Sequence, residues 1–376
     1  TTANQIVINK FAATLPLLDS LCCISEIWNK VSKVMIVVGI NTPDPRLDAL
    51  LKTISDTMNC VVVAAPTSNI NYCTIGTPEN VIAWLPESGS DKLAPDLLIT
   101  LGNAVVSKRL KTFLRQNKPQ YHIDVDLNPM RVDTYRCLSH KLIATSEKAA
   151  EFIINNCRPQ KKDYKAAWQK AADSAQLRHH ELVGAMPWCD LSAIGQIICF
   201  LSEQHQQFNL HASNSTPVRY VELFNKISNA DYYCNRGTSG IDGCLSTAAG
   251  ASLVSDNQTI VITGDVGFFY DSNCFYNNLL QGNFKVILIN NGGGNIFKAL
   301  GYAANTLCAE FFITPIKFNV GALCQSFGVR HLYADNAKAL DDQLSVLIDS
   351  VCCTLLEVDT RNADNSTLLR NYLNSK

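Results

Sequence analysis

Residues 259–265 read TIVITGD and residues 285–294 read KVILINNGGG. Each is a short, β-branched apolar run with no polar alternation, stopped by a polar residue beside glycine. Such a run suits a strand buried on both faces, as in a parallel sheet covered by helices. Two of them in succession place Asp265 and Asn291 at the carboxyl edge of one sheet, 26 positions apart. Open α/β folds keep their ligand sites at that edge.

The same rhythm extends in both directions. Residues 328–333 and 353–358 read as later strands, and 208–212 and 231–234 as earlier ones. A helix fits 191–204, and another opens at Asn214-Ser215-Thr216-Pro217. The first half has its own set, with strands expected over 33–40, 60–65, 96–102 and 120–126. Between them, Leu47, Leu50, Leu51 and Ile54 form the stripe of a helix over 45–58, and 108–115 reads as a further helix. The expected fold class is therefore α/β, with two doubly wound, open parallel-sheet domains. Residues 158–182 are polar, charged and alanine-containing, and are expected as an exposed connecting helix. The expected division is a central domain over 1–160, a linking helix over 161–187 and a second domain over 188–376.

Composition narrows the function classes. Charged residues are 17%, the formal net charge is −1, and no dense run of Lys and Arg occurs, which argues against a nucleic-acid partner. No apolar stretch is as long as a membrane span, and no basic start precedes an apolar core as in a signal peptide. The 15 cysteines are scattered, with adjacent pairs at Cys22–Cys23 and Cys352–Cys353 and no CxxC spacing. They read as buried reduced thiols rather than a disulfide framework or a zinc site, so a reducing cytoplasm is the expected location. The sequence begins Thr-Thr-Ala-Asn without an initiator Met and is expected to be a piece of a longer protein.

Asp265 supplies a carboxylate, Asn291 a carboxamide oxygen, and the turn beside them free carbonyls. These hard oxygen ligands suit an octahedral Mg²⁺ that also holds phosphate oxygens. The glycines after Asn291 let the backbone turn tightly and approach a diphosphate. Taken singly, Asp265 is a helix cap and the glycine run a turn. Together, at matching strand ends, they favour a metal–diphosphate site.

Gly264-Asp265 followed by Asn290-Asn291 resembles the thiamine-diphosphate motif. That motif normally begins Gly-Asp-Gly, where this chain has Gly-Asp-Val. Three other stretches narrow the resemblance to the menaquinone-pathway family that joins 2-oxoglutarate to isochorismate. They are residues 235–243 (NRGTSGIDG) followed by LSTAAG, Asn214-Ser215 with Arg219, and Gly294-Asn295-Ile296-Phe297. The resemblance implies a central domain followed by a thiamine-diphosphate-binding domain. It implies that Asp265, Asn291 and the carbonyl of Gly293 hold Mg²⁺ or Mn²⁺. Ser239, Gly240 and Gly264 would lie near the cofactor. Ile241 would wedge it, and Ile296, Phe297 and Leu300 would form an apolar wall. Lys108, Arg109, Arg219 and Arg236 would bind the carboxylates of the two substrates, since Arg grips a carboxylate through parallel hydrogen bonds. Ser215 would donate to the reaction intermediate. For any of these alone, a surface charge, a helix cap or core packing is the plainer role.

The family activates its cofactor with a Glu on an N-terminal pyrimidine-binding domain, for which residues 1–376 offer no candidate. The resemblance thus implies the central and diphosphate-binding parts of a homodimer or homotetramer, inactive without the remaining domain. An acetolactate-synthase-like decarboxylase and a non-catalytic cofactor-binding module are the rival expectations.

Overall fold

The computed structural model describes residues 18–86, 90–276, 279–299 and 309–375. β1 (Val34–Val38), β2 (Val61–Ala64), β3 (Leu97–Leu101), β4 (Tyr121–Val125) and β5 (His140–Leu142) form a parallel sheet in the order β2-β1-β3-β4-β5. β6 (Phe208–Ala212), β7 (Ala230–Tyr233), β8 (Gln258–Gly264), β9 (Phe284–Asn290), β10 (Arg330–Ala334) and β11 (Thr354–Asp359) form a second parallel sheet, ordered β10-β11-β9-β8-β6-β7. The α/β class and the two doubly wound sheets read from the sequence are what the chain adopts. Helices cover both faces, which is why β1 and β9 are buried at every position and carry no polar alternation.

The cores follow from this layering. Ile36, Val62, Ile99 and Ile123 pack beneath Ile24, Trp28, Leu51 and Ile54 on one face of the first sheet. Ile260, Ile262, Ile287 and Leu356 do the same in the second, against Ile194, Ile197, Leu344 and Leu347.

The connecting helix departs from its expected exposure. It spans Lys162–Gly184 and buries Tyr164, Trp168, Ala175 and His179. Trp168 stacks edge-on against Phe113 and belongs to the apolar layer with Met35, Leu98 and Leu110. The helix is therefore one of the covering helices of the first sheet. Truncating a side chain such as Trp168 to Ala would cost roughly 3–5 kcal/mol.

Buried polar contacts join the two sheets. Asn69, in a left-handed conformation, donates to the carbonyl of Tyr232 at 2.8 Å and accepts its N–H at 2.8 Å. Asn80 donates to the carbonyl of Leu223 at 2.7 Å. Thr67 donates its hydroxyl to Glu222 at 2.6 Å.

Candidate functional site

β8 and β9 are neighbours, in register from Thr259 opposite Phe284 to Gly264 opposite Ile289. Gly264 is the last residue of β8, and Asp265 starts the helix Asp265–Asp271. Asn291 follows β9 directly. The two candidate ligands thus leave adjacent strand ends. Asp265 is 2% exposed. Its Oδ2 accepts the N–H groups of Gly292 and Gly293 at 2.7 and 2.8 Å, and its Oδ1 that of Val266 at 2.7 Å. Burial pushes its carboxyl up to about 6 against these three bonds, with the nearby Asp190 carboxylate adding to the rise.

The turn after β9 requires its glycines. Gly292 and Gly293 have φ of +85° and +138°, and a Cβ on Gly293 would sit 2.5 Å from the carbonyl oxygen of Ile313. The Gly293 carbonyl accepts the N–H of Asn295 at 2.8 Å and keeps its second lone pair. Asn291 donates Nδ2 to Asp190 at 2.7 Å, while its Oδ1 is buried without a protein partner. An orphaned, buried carboxamide oxygen beside a buried carboxylate is the donor set of a hard cation.

The loop between β7 and the helix Cys244–Ser252 lies alongside. Asn214 organises it, donating Nδ2 to the carbonyls of Asn235 at 2.5 Å and Gly240 at 2.6 Å. Its Oδ1 accepts from Arg236 Nη1 at 3.1 Å. Ser239 has a φ of +63°. Ile241 packs over Gly267, where a Cβ would meet its backbone oxygen at 3.3 Å, so the loop sits on the helix begun by Asp265.

Ser215 has φ of +80° and ψ of −128° and makes no side-chain cap to the helix Thr216–Val221, although it occupies the capping position. A non-glycine residue held there stores roughly 1–3 kcal/mol of strain. The same helix carries Arg219, whose Nε is buried without a partner. Arg219, Lys108, Thr216 and Ile296 line one cavity of about 120 Å³, together with Glu79, Glu222 and Arg370. Burial, and then the charge of Arg236, lower the pKa of Arg219; burial, Arg236 and Arg219 lower that of Lys111. Three cations are therefore held close enough to repel, with Glu79 offsetting part of that charge, and an anionic ligand would relieve the rest.

The candidates are not all brought together. Lys108 and Arg219 share the cavity, and Arg236 reaches Arg219 electrostatically. Arg109 turns to Glu79 at 3.6 Å and Asn374 at 3.3 Å and lines an adjoining groove that shares Glu79 and Lys108 with the cavity. Ile296 faces the cavity, whereas Phe297 packs on Phe312 with ring centroids 5.4 Å apart. Leu300 lies outside the described residues. Lys111, Asp190 and Glu222 were not singled out from the sequence. Lys111 was detectable, lying three positions after Lys108 on the same helix.

A family model described as thiamine pyrophosphate enzyme, C-terminal TPP binding domain, matches residues 217–358, which include Asp265 and Asn291. The chain is 33% identical over 360 residues to a 2-succinyl-5-enolpyruvyl-6-hydroxy-3-cyclohexene-1-carboxylate synthase from Flavobacterium psychrophilum, covering 94% of this chain and 64% of that protein. It is 34% identical over 370 residues to the synthase of that name from Porphyromonas gingivalis, covering 92% of this chain and 63% of that protein. The chain is thus similar to these synthases over more than nine tenths of its own length. It spans less than two thirds of the length of these relatives.

The family-model match supports a thiamine-diphosphate-binding function for the second sheet. The Gly-Asp-Val departure from the general motif leaves the local geometry workable. Val266 offers its backbone N–H to Asp265, and the glycine that the motif would supply at 266 stands one position later, where Ile241 packs. Elsewhere, no described helix is long and apolar enough to cross a membrane. Cys60, Cys324 and Cys353 are buried, and burial pushes their thiols up to about 12, as inert core cysteines require.

Proposed function

We propose that these residues are the central and cofactor-binding parts of an enzyme that decarboxylates 2-oxoglutarate and adds the resulting succinyl unit to isochorismate in menaquinone biosynthesis. The observation that carries the reading is the buried, partnerless Nε of Arg219 in a cavity shared with Lys108 and repelled by Arg236. Both proposed substrates are dicarboxylates, and a buried guanidinium with an unpaired Nε, only partly offset by Glu79, is stabilised by one. The names of the relatives agree with it.

When bound, thiamine diphosphate supplies the electron sink for decarboxylation. The chain's own residues hold and orient. Asp265, Asn291 Oδ1 and the Gly293 carbonyl would bind Mg²⁺ or Mn²⁺ and, through it, the diphosphate. The loop containing Ser239, Gly240 and Ile241 would flank the cofactor. Ile296 and Phe297 would keep water from the reacting atoms, and Ser215 would donate its hydroxyl to substrate. Arg219, Arg236, Lys108 and Lys111 would hold carboxylates.

The reading includes a cytoplasmic location and a homodimer or homotetramer in the whole enzyme. It divides the chain near the helix Lys162–Gly184, and it places the activating Glu outside residues 1–376. The test is turnover by the whole enzyme with 2-oxoglutarate and isochorismate, against pyruvate as the alternative donor. Product from the first pair alone supports the reading; equal or preferred use of pyruvate overturns it.

A further inference from the structure

The two ends of the Asn291 amide meet different surroundings. Nδ2 donates to Asp190 Oδ2 at 2.7 Å, and Oδ1 is buried with no protein partner. Asp190 is fully buried and is the first residue of the helix Asp190–Ser202. Its other oxygen takes the hydroxyl of Thr360 at 2.5 Å, and the hydroxyl of Tyr220 also donates to it. Its backbone N–H donates to Asn365 Oδ1 at 2.7 Å. Asn365 donates in turn to the carbonyl of Thr360 at 3.1 Å, and the Thr360 N–H to that of Asn290 at 3.0 Å. The carboxylate is thus clamped from several elements, including the strand end next to β9.

A carboxylate on which three donors converge serves as an acceptor. Only the NH₂ end of the Asn291 amide can meet it; a flipped amide would set oxygen against oxygen and strand two donors. Asp190 thereby settles which way the amide points. We infer that Asp190 is the positioning residue of the cation site: it locks Asn291 so that the carboxamide oxygen, and not the NH₂, is presented to the cation. The inference rests on the proposed role of Asn291 as a cation ligand.

The test uses Mn²⁺ as the probe, with saturating thiamine diphosphate, by calorimetry and electron paramagnetic resonance on the whole enzyme. N291A should bind Mn²⁺ at least about 10-fold more weakly than the parent, which checks the ligand role itself. D190N leaves the amide free to turn, and its affinity should fall about 10- to 100-fold, the range for residues that orient a ligand. D190N/N291D should return to within about 3-fold of the parent. In the double variant the amide introduced at position 190 donates its NH₂ to one oxygen of the new carboxylate and leaves the other for the cation. Circular dichroism melting confirms folding of each variant. If D190N does not fold, the double variant carries the test. Parent-like affinity in folded D190N overturns the inference, as does a folded double variant with no recovered binding. Unchanged affinity in N291A, or a parent that takes up no Mn²⁺, removes the ligand role and with it the inference.

Discussion

Replacing Glu222 by Gln isolates what it takes to hold a carboxylate between the two sheets. Glu222 is 2% exposed. Its Oε1 accepts the N–H and the hydroxyl of Thr67 at 3.3 and 2.6 Å, and its Oε2 has no partner. Burial pushes the carboxyl from 4.5 up to about 7, opposed by the Thr67 bonds and Arg236 and reinforced by Glu79. Because the folded value lies above the unfolded one, the folded chain keeps a proton that the unfolded chain has already lost. The stabilising contribution is complete below 4.5 and gone once the pH has risen through about 7. At about 1.4 kcal/mol per pH unit, the loss across that window is roughly 3 kcal/mol. The substituted amide keeps an acceptor for Thr67 and does not titrate. The stability of E222Q relative to the parent should therefore climb by roughly 3 kcal/mol from about pH 4.5 to about pH 7.5, on top of any constant offset. The raised carboxyls of Asp190 and Asp265 and the lowered imidazoles of His179 and His211 titrate in both proteins and cancel in the difference. Urea unfolding followed by tryptophan fluorescence at half-unit pH steps measures it. A difference that stays flat to within about 0.5 kcal/mol refutes the reasoning.

Other expected outcomes are equally direct. D265A should lose Mg²⁺-dependent binding of thiamine diphosphate by about 100-fold or more, since it removes the anion of the proposed cation site. D265N, which keeps acceptors for Gly292 and Gly293, should lose the same affinity with a melting temperature close to the parent's; calorimetry with unchanged affinity in both variants would sink the assignment. R219K and R236K, made in the whole enzyme, keep the charge but not the planar fork. Each should lower kcat/KM for 2-oxoglutarate or isochorismate about 10- to 100-fold with near-normal cofactor affinity, and unchanged kinetics in both would refute the carboxylate role. Residues 1–376 by themselves should unfold cooperatively, because each sheet has its own apolar layers, yet form no product. Product above a no-enzyme control would show that the activating group lies within this chain.

What could be read in the sequence depended on how local its cause was. β8 and β9 were legible because burial on both faces turns a strand into an unbroken apolar run. Their end residues were legible because Asp265 and Asn291 each sit next to the strand that positions them. β5 was missed: its three residues, His140, Lys141 and Leu142, lie on a sheet edge and carry no such run. The burial of the helix Lys162–Gly184 was missed because Tyr164, Trp168, Ala175 and His179 form a stripe too sparse to stand out among charged neighbours.

Asp190 and Glu222 escaped for a deeper reason. In sequence Asp190 opens a helix, where an acid is usually solvated and helps the dipole, and Glu222 follows the end of one, where an acid is usually solvated too. Nothing local separates them from caps. Their roles come from partners 101 and 155 positions away, Asn291 and Thr67. A buried carboxylate survives only where several donors converge on it, and that convergence is a property of the packed sheets. The same argument bears on the site. Once Asn291 needs an acceptor-only partner to hold its oxygen free, a carboxylate behind it is the simplest group that meets the requirement. A neutral amide there could turn with it and fix nothing.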